Sequence, residues 1–322
     1  MMGASNPNRV PNARKEEQFM SNQTFPSNIL VPLDGSELAS RVLPYVRALA
    51  LPESHVLLLQ VLDPIPDYEV AGTTTLGYRE IRRERMDAAN LYLGDFCNDM
   101  RGTCAHTTAL ARIGEVADTI LGVAAEQNAD FIVMSTRGRG RFGRLLLGSV
   151  ADRIARSSTV PVLLVHPRST QEFVPVDGTA IVNRIVVPMD GSQRARNALP
   201  IAASVARQLS VPVHLIRAVP LQEKMMADQR YYESFCTAAS DGLESEASKL
   251  RATGLEATTK LLIGETVPLL LDELGSGDLV IMTSHGEGGI RRWQLGSVAE
   301  KLINLAPAPI LLVPDPARVR LQ

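Results

Sequence analysis

Short apolar runs alternate with amphipathic or charged stretches along most of this chain. NILVPL (28–33), HVLLLQVL (55–62), DFIVM (130–134) and VPVLLV (160–165) are too short for helices and rich in aliphatic residues. They predict strands buried on both faces. CAHTTALA (104–111) alternates and predicts a half-covered strand. Between them, ELASRVLPYVRALA (37–50), the charged YREIRRERMDAANLYLGDFCNDM (78–100), EVADTILGVAAEQN (115–128) and SVADRIARS (149–157) predict helices. Asp34-Gly35 is turn chemistry, and Ser36 is placed to cap the helix that follows. Strands separated by helices imply a mainly parallel sheet with right-handed crossovers.

The same order then recurs. NILVPLDGS (28–36) matches RIVVPMDGS (184–192), and ARIGEVADTIL (111–121) matches LLIGETVPLLL (261–271). ADFIVMST matches GDLVIMTS, and LLLGSVADRIARSSTVPVLLV (145–165) matches WQLGSVAEKLINLAPAPILLV (293–313). The offset shrinks from 156 to 148 residues, so short insertions and deletions separate the copies. Matched blocks in one order indicate a tandem duplication. The expected organisation is a polar, disordered tail over 1–26, a first domain over 27–168, a linker over 169–180 and a second domain over 181–316. Each copy ends in an apolar fifth strand. Two such exposed edges would need cover, which predicts that the copies pack through them as a pseudo-dimer.

Candidate chemistry concentrates after the fourth strand of each copy. Residues 135–149, STRGRGRFGRLLLGS, hold four glycines and four arginines; the second copy reads TSHGEGGIRRWQLGS at 283–297. The literal GxGxxG at 138–143 follows the wrong strand for a dinucleotide fingerprint, no acid ends the next strand, and the second copy breaks the pattern. A Walker loop fails because no lysine precedes Ser149. What the copies share is a small residue, two residues, Gly, nine residues, then Gly-Ser at a helix start. These are Ser135, Gly138, Gly148 and Ser149, and then Thr283, Gly286, Gly296 and Ser297. Unpaired amides and the dipole at a helix N-terminus attract phosphate, and glycine allows close approach. Gly140 and, in the second copy, Gly288 add loop amides that can form a nest. Against this, the glycines can simply permit a turn, and Asp34 and Asp190 can simply form Asp-Gly turns.

Charge then separates the copies. Of Arg137, Arg139, Arg141 and Arg144, the pair closest to the glycines, Arg139 and Arg141, is placed for phosphate contact. Glu287 stands opposite Arg139, so the second copy offers an anion a weaker field. His285 faces Arg137 in the alignment, so the copies share no general base there. The net charge of −2 gives no overall field for nucleic acid, and no apolar run reaches membrane-spanning length. Three cysteines without metal-ligand spacing fit a reducing cytoplasm.

These motifs resemble those of the universal stress protein family, whose nucleotide-binding members carry Gly-2x-Gly-9x-Gly-Ser/Thr between the fourth strand and fourth helix. They also carry an aspartate after the first strand. The resemblance covers nearly the whole chain, as two tandem domains. It implies an α/β fold similar to adenine nucleotide alpha hydrolases, with two open five-stranded sheets in order 3-2-1-4-5 flanked by helices. It implies one ATP (or ADP or AMP) site per domain, with magnesium. The residues carried over are Pro32, Leu33, Asp34, Val61, Ser135, Gly138, Arg139, Gly140, Arg141, Gly148, Ser149 and Val150. In the second copy they are Pro188, Met189, Asp190, Ala218, Thr283, Gly286, Gly288, Gly296, Ser297 and Val298. Ser135 and Thr283 stand where the family has its first glycine. No metal ligand and no catalytic residue is implied. The expected role is a regulatory nucleotide-binding protein of the stress response with a protein partner; two chains can associate further. The alternatives are a scaffold that keeps the fold without nucleotide, and a slow ATP hydrolase.

Overall fold

The computed structural model describes residues 26–65, 75–136, 147–166, 182–219, 229–284 and 295–315. The expected N-terminal tail, up to residue 25, and the linker over 169–180 lie outside them. The first copy runs β1 (Asn28–Pro32), α1 (Glu37–Ser40), α2 (Leu43–Leu49), β2 (His55–Leu62), α3 (Thr75–Asp99), β3 (His106–Ile113), α4 (Val116–Glu126), β4 (Phe131–Ser135), α5 (Ser149–Ser157) and β5 (Val162–Val165). The second runs β6 (Arg184–Pro188), α6 (Gln193–Arg196), α7 (Leu199–Leu209), β7 (Val213–Val219), α8 (Gln229–Ala252), β8 (Ala257–Ile263), α9 (Thr266–Glu273), β9 (Asp278–Thr283), α10 (Ser297–Leu305) and β10 (Ile310–Val313).

One expected helix is two. Residues 37–50 divide into α1 and α2, and residues 193–209 divide in the same way into α6 and α7. Pro44 and Pro200 account for both breaks. Each lies in the first turn of the second segment, where its missing amide is harmless. A continuous helix would drive its ring into the carbonyl four residues back, at Ser40 or Arg196, where α1 and α6 end. Ser36 caps α1 as its position predicted, accepting a 3.1 Å hydrogen bond from the Ala39 amide.

The strands form one ten-stranded sheet in the order β3-β2-β1-β4-β5-β10-β9-β6-β7-β8. Each half is parallel and repeats the expected 3-2-1-4-5 order. At the centre β5 and β10 pair antiparallel, with Leu163 opposite Leu311. The two apolar edges thus cover each other. What remains outermost is β3 and β8, whose side chains are mostly half-buried or exposed.

Two apolar layers run across the junction. On one face, α2 and α3 pack with Ile29, Val31, Leu163 and Leu311, and α7 and α8 continue the layer. On the other, α4 and α5 pack with Leu30, Leu59 and Leu164, and α9 and α10 continue it. Gln208 on α7 donates to the Leu49 carbonyl at the end of α2, a hydrogen bond between the halves at 2.5 Å.

A half-buried histidine is expected to give the second half a pH dependence. Burial holds His214 below its ordinary pKa; the nearby Arg184 and Lys260 lower it further, and Glu273 and Asp278 only partly oppose them. Its Nδ1 lies 2.7 Å from the Thr258 hydroxyl. His55 is likewise lowered, by burial and by His106. A lowered folded pKa means that the unfolded chain binds the extra proton first. Their contribution is therefore whole above the ordinary value of about 6.5 and fades as pH falls from there through the folded pKa. Urea unfolding at pH 7.5 and pH 5 should show a smaller difference for His214→Gln than for the wild type. An equal pH dependence in the two proteins would count against this assignment.

Candidate functional site

The site lies at the carboxyl ends of the parallel strands. From β1 the chain turns to α1 and α2 on one face, whereas from β4 it continues to α5 on the other. β1 and β4 are neighbours, so the chain diverges between them and leaves a crevice above their ends. In the second half β6 and β9 repeat this arrangement.

Two segments meet there in each half. The first is the turn after β1. Leu33 is buried and donates its amide to the Leu59 carbonyl at 2.8 Å, which extends the β1–β2 pairing by one step. Asp34 follows. Its Oδ1 accepts from the Ser36 amide at 2.9 Å and from the Ser36 hydroxyl at 2.6 Å. Asp190 Oδ1 accepts from the Ser192 amide at 2.8 Å. Gly35 and Gly191 take φ of +82° and +88°, values that favour glycine. The aspartates therefore do form the turn, with Oδ1 in both copies.

The second segment is the start of α5. The Gly148 amide donates to the Thr136 carbonyl at 2.9 Å, and the Gly296 amide donates to the Ser284 carbonyl at the same distance. These bonds close the glycine-rich loop at its base and lock the helix start to the end of β4 or β9. Gly148 has φ −62° and ψ 148°, and Gly296 has φ −62° and ψ 146°. Any residue adopts that conformation, so the turn itself does not require glycine. As N-cap residues they supply no capping side chain. Ser149 and Ser297 are exposed, and among the described residues the first helical amides lack the cap that Ser, Thr, Asp or Asn would provide. Ser135 and Thr283 are both 8% exposed, and the Thr136 hydroxyl is buried and has no hydrogen-bond partner among the described residues.

The remaining expected residues sort by place. Pro32 and Pro188 end their strands, and Met189 corresponds to Leu33. Val61 and Ala218 lie near the ends of β2 and β7 and are half-buried. Val61 packs on the same apolar layer as α5, as do Val150 and Val298. The crevice thus has an apolar wall on the β2 side and open helix amides on the β4 side. Gly138, Arg139, Gly140, Arg141, Gly286 and Gly288 lie outside the described residues, as do Glu287 and His285. Thr136 and Ser284 were not singled out in the sequence. They directly follow the motif's first position, and only the fold shows that their carbonyls hold the helix start. Among the described residues, no group of three His, Cys, Asp or Glu side chains could hold a metal ion.

The sequence model of the Universal stress protein family matches residues 26–166 and 182–314. The chain belongs to the universal stress protein family. A universal stress protein of Mycolicibacterium smegmatis is 24% identical over 294 residues, covering 88% of this chain and 96% of its own. A single-domain-sized universal stress protein of Thermus aquaticus is 34% identical over 141 residues, 43% of this chain and 97% of its own. A crystal structure of a universal stress protein from Archaeoglobus fulgidus superposes with a TM-score of 0.64 at 22% identity. It covers 90% of this chain and 99% of its own length, and so shares the tandem fold. Among the described residues, no helix is long and apolar enough to cross a membrane.

Proposed function

We propose that this universal stress protein is a cytoplasmic regulator that binds one adenine nucleotide, ATP with magnesium, in each domain and changes its contacts with a protein partner accordingly. One observation carries the reading. In both halves a helix begins at a glycine whose backbone does not need to be glycine, and among the described residues its first amides have no cap, at the point where the chain diverges. Phosphate is the chemistry that such a helix start accepts. The α- and β-phosphate oxygens would take the amides at 149 and 150 and the Ser149 hydroxyl. Adenine would rest on Val61, and Asp34 would face the ribose. Magnesium would be held mainly by the phosphates and water, as that ion commonly is. No nucleophile–base pair recurs in both copies, so binding rather than efficient turnover is the function. Three free cysteines, Cys97, Cys104 and Cys236, suit a reducing compartment.

Calorimetric titration of the full chain with ATP, ADP and AMP tests the reading, together with analysis of nucleotide released from freshly purified protein. No binding at about 1 mM nucleotide would identify a scaffold instead. Turnover that persists through stringent purification and disappears with Gly148→Val would identify a hydrolase.

The first domain is expected to bind more tightly. Arg139 in its loop corresponds to Glu287, and Ser135 to the stiffer, β-branched Thr283. In the full chain, Gly296→Val should leave the tighter binding event in place and Gly148→Val should remove it. The reverse pattern, or two equal sites, would refute the order.

A further inference from the structure

The two halves differ on the face of the sheet that α3 and α8 cover, across from the helix starts at Gly148 and Gly296, where the turn after β6 contributes Met189 and Gly191. Burial along α3 and α8 repeats at an offset of 150 residues, with Leu93 and Leu243 both buried. By this alignment Tyr92 and Phe96 of α3 correspond to Gly242 and Glu246 of α8. In the first half those rings pack edge-to-face at 5.0 Å and lie against the apolar layer. In the second half that helix face carries a glycine and a carboxylate, and a cavity of about 160 Å³ opens beside them. Two further positions change with it. Gln60 of β2 becomes Arg217 of β7, since both follow the residue paired with the proline that ends the first strand. Ser40 becomes Arg196, by the offset that relates Ser36 to Ser192. Arg196 and Arg217 both line the cavity.

Among the described residues, the charges that line the cavity do not balance. Glu246 is 7% exposed and already serves two cations: Arg196 Nε at 3.0 Å and Lys249 Nζ at 3.0 Å. Among the described residues, Arg217 makes no ion pair and no hydrogen bond. Its guanidinium lies flat on Gly191, with three head-group atoms 2.7–2.8 Å from where a Cβ on that residue would stand. Gly191 has φ +88°, so the turn and the guanidinium both exclude a side chain there. The result is a half-buried planar cation on the wall of a small cavity where, among the described residues, the one lining acid, Glu246, is already paired. The rest of the wall includes Met189, Ala238 and Leu243.

We propose that the second domain holds a site for a small carboxylate, bound through its oxygens to Arg217 and with its short apolar body against Met189 and Leu243. A guanidinium pairs with a carboxylate through two parallel hydrogen bonds. The cavity, at about 160 Å³, is small. It is below the roughly 300–1,000 Å³ of drug-sized ligand sites, so a nucleotide does not fit. The apolar wall selects a carboxylate with two or three carbons over phosphate, which would leave that wall without a partner. The first domain, with Tyr92 and Phe96 on the same helix face and Gln60 in place of the arginine, has no counterpart.

The test uses the full chain with 15N-labelled arginine. Propionate and inorganic phosphate are titrated at constant ionic strength, and the arginine Nε–H resonances are followed, with Arg217 assigned by Arg217→Lys. A saturable shift of the Arg217 signal by propionate is expected, with a dissociation constant on the order of 1 mM. Gly242→Tyr restores the residue of the first domain and should weaken binding at least tenfold. A Cβ at 242 meets nothing within 4 Å, and replacing a mid-helix glycine favours the helix, so this variant is expected to fold, which thermal unfolding checks. Gly148→Val and Gly296→Val should bind propionate as the wild type does, which separates this site from the nucleotide crevices. A shift that does not saturate, one that survives Gly242→Tyr, or tighter binding of phosphate than of propionate would each overturn the proposal.

Discussion

Gly148→Val is expected to lower the ATP affinity of the first domain at least tenfold while the protein remains folded. The backbone at 148, with φ −62° and ψ 148°, lies in the extended region that valine adopts readily. The substitution therefore imposes no backbone strain, and as an N-cap change it costs helix stability only about 1 kcal/mol. What it changes is the space over the helix start. A branched side chain there stands between a phosphate and the amides at 149 and 150. Losing two charge-assisted hydrogen bonds at about 1.5–3 kcal/mol each exceeds the 1.4 kcal/mol that corresponds to tenfold. Adenosine, which lacks phosphates, should lose much less. Gly148→Ser sharpens the comparison. Serine is a better N-cap than glycine, so it should stabilise the fold by a few tenths of a kcal/mol, yet its hydroxyl would occupy the amide that the phosphate needs. The measurement is calorimetric titration of each variant with ATP and with adenosine, after thermal unfolding has confirmed the fold. Unchanged ATP affinity in folded Gly148→Val would mean that the glycine only leads into the helix.

The strands, the duplication and the two candidate segments could be read from the sequence because each leaves a local mark, whereas the 3-2-1-4-5 order came with the family resemblance. Buried parallel strands such as NILVP are short and continuously apolar, and Asp34-Gly35-Ser36 is turn and cap chemistry within three residues. The helix break at Pro44 also had its signal in the sequence. Amphipathic periodicity runs straight through 37–50, and it outweighed a proline whose effect falls on Ser40, four residues earlier. The open helix start was legible only in part. That Gly148 adopts an ordinary φ, and so is not needed for the turn, can be seen only in coordinates. The cavity beside Arg217 had no sequence signal of its own. It depends on aligning α3 with α8, where residues differ almost throughout and only burial keeps the register. Tyr92 against Gly242 means nothing until both are known to face the same layer.

The junction between β5 and β10 yields the second large effect. Leu163 and Leu311 stand opposite each other in the antiparallel pair, both are fully buried, and both belong to the layer that continues into each half. Each leucine-to-alanine substitution is expected to destabilise the protein by about 2–5 kcal/mol, because the surrounding sheet cannot close the void. The two effects should not add. Once Leu163 is truncated, Leu311 has already lost its facing partner. The double variant should therefore be less damaged than the sum, with a coupling of about 0.5–3 kcal/mol. The larger consequence concerns cooperativity. A layer shared across the junction makes the stability of each half depend on the other, so Leu163→Ala, although in the first half, should lower the melting of the whole chain. Scanning calorimetry should show one endotherm that moves as a unit in both single variants. Two endotherms, with Leu163→Ala displacing one and Leu311→Ala the other, would show that the halves unfold separately and that the β5–β10 pairing carries little of the stability.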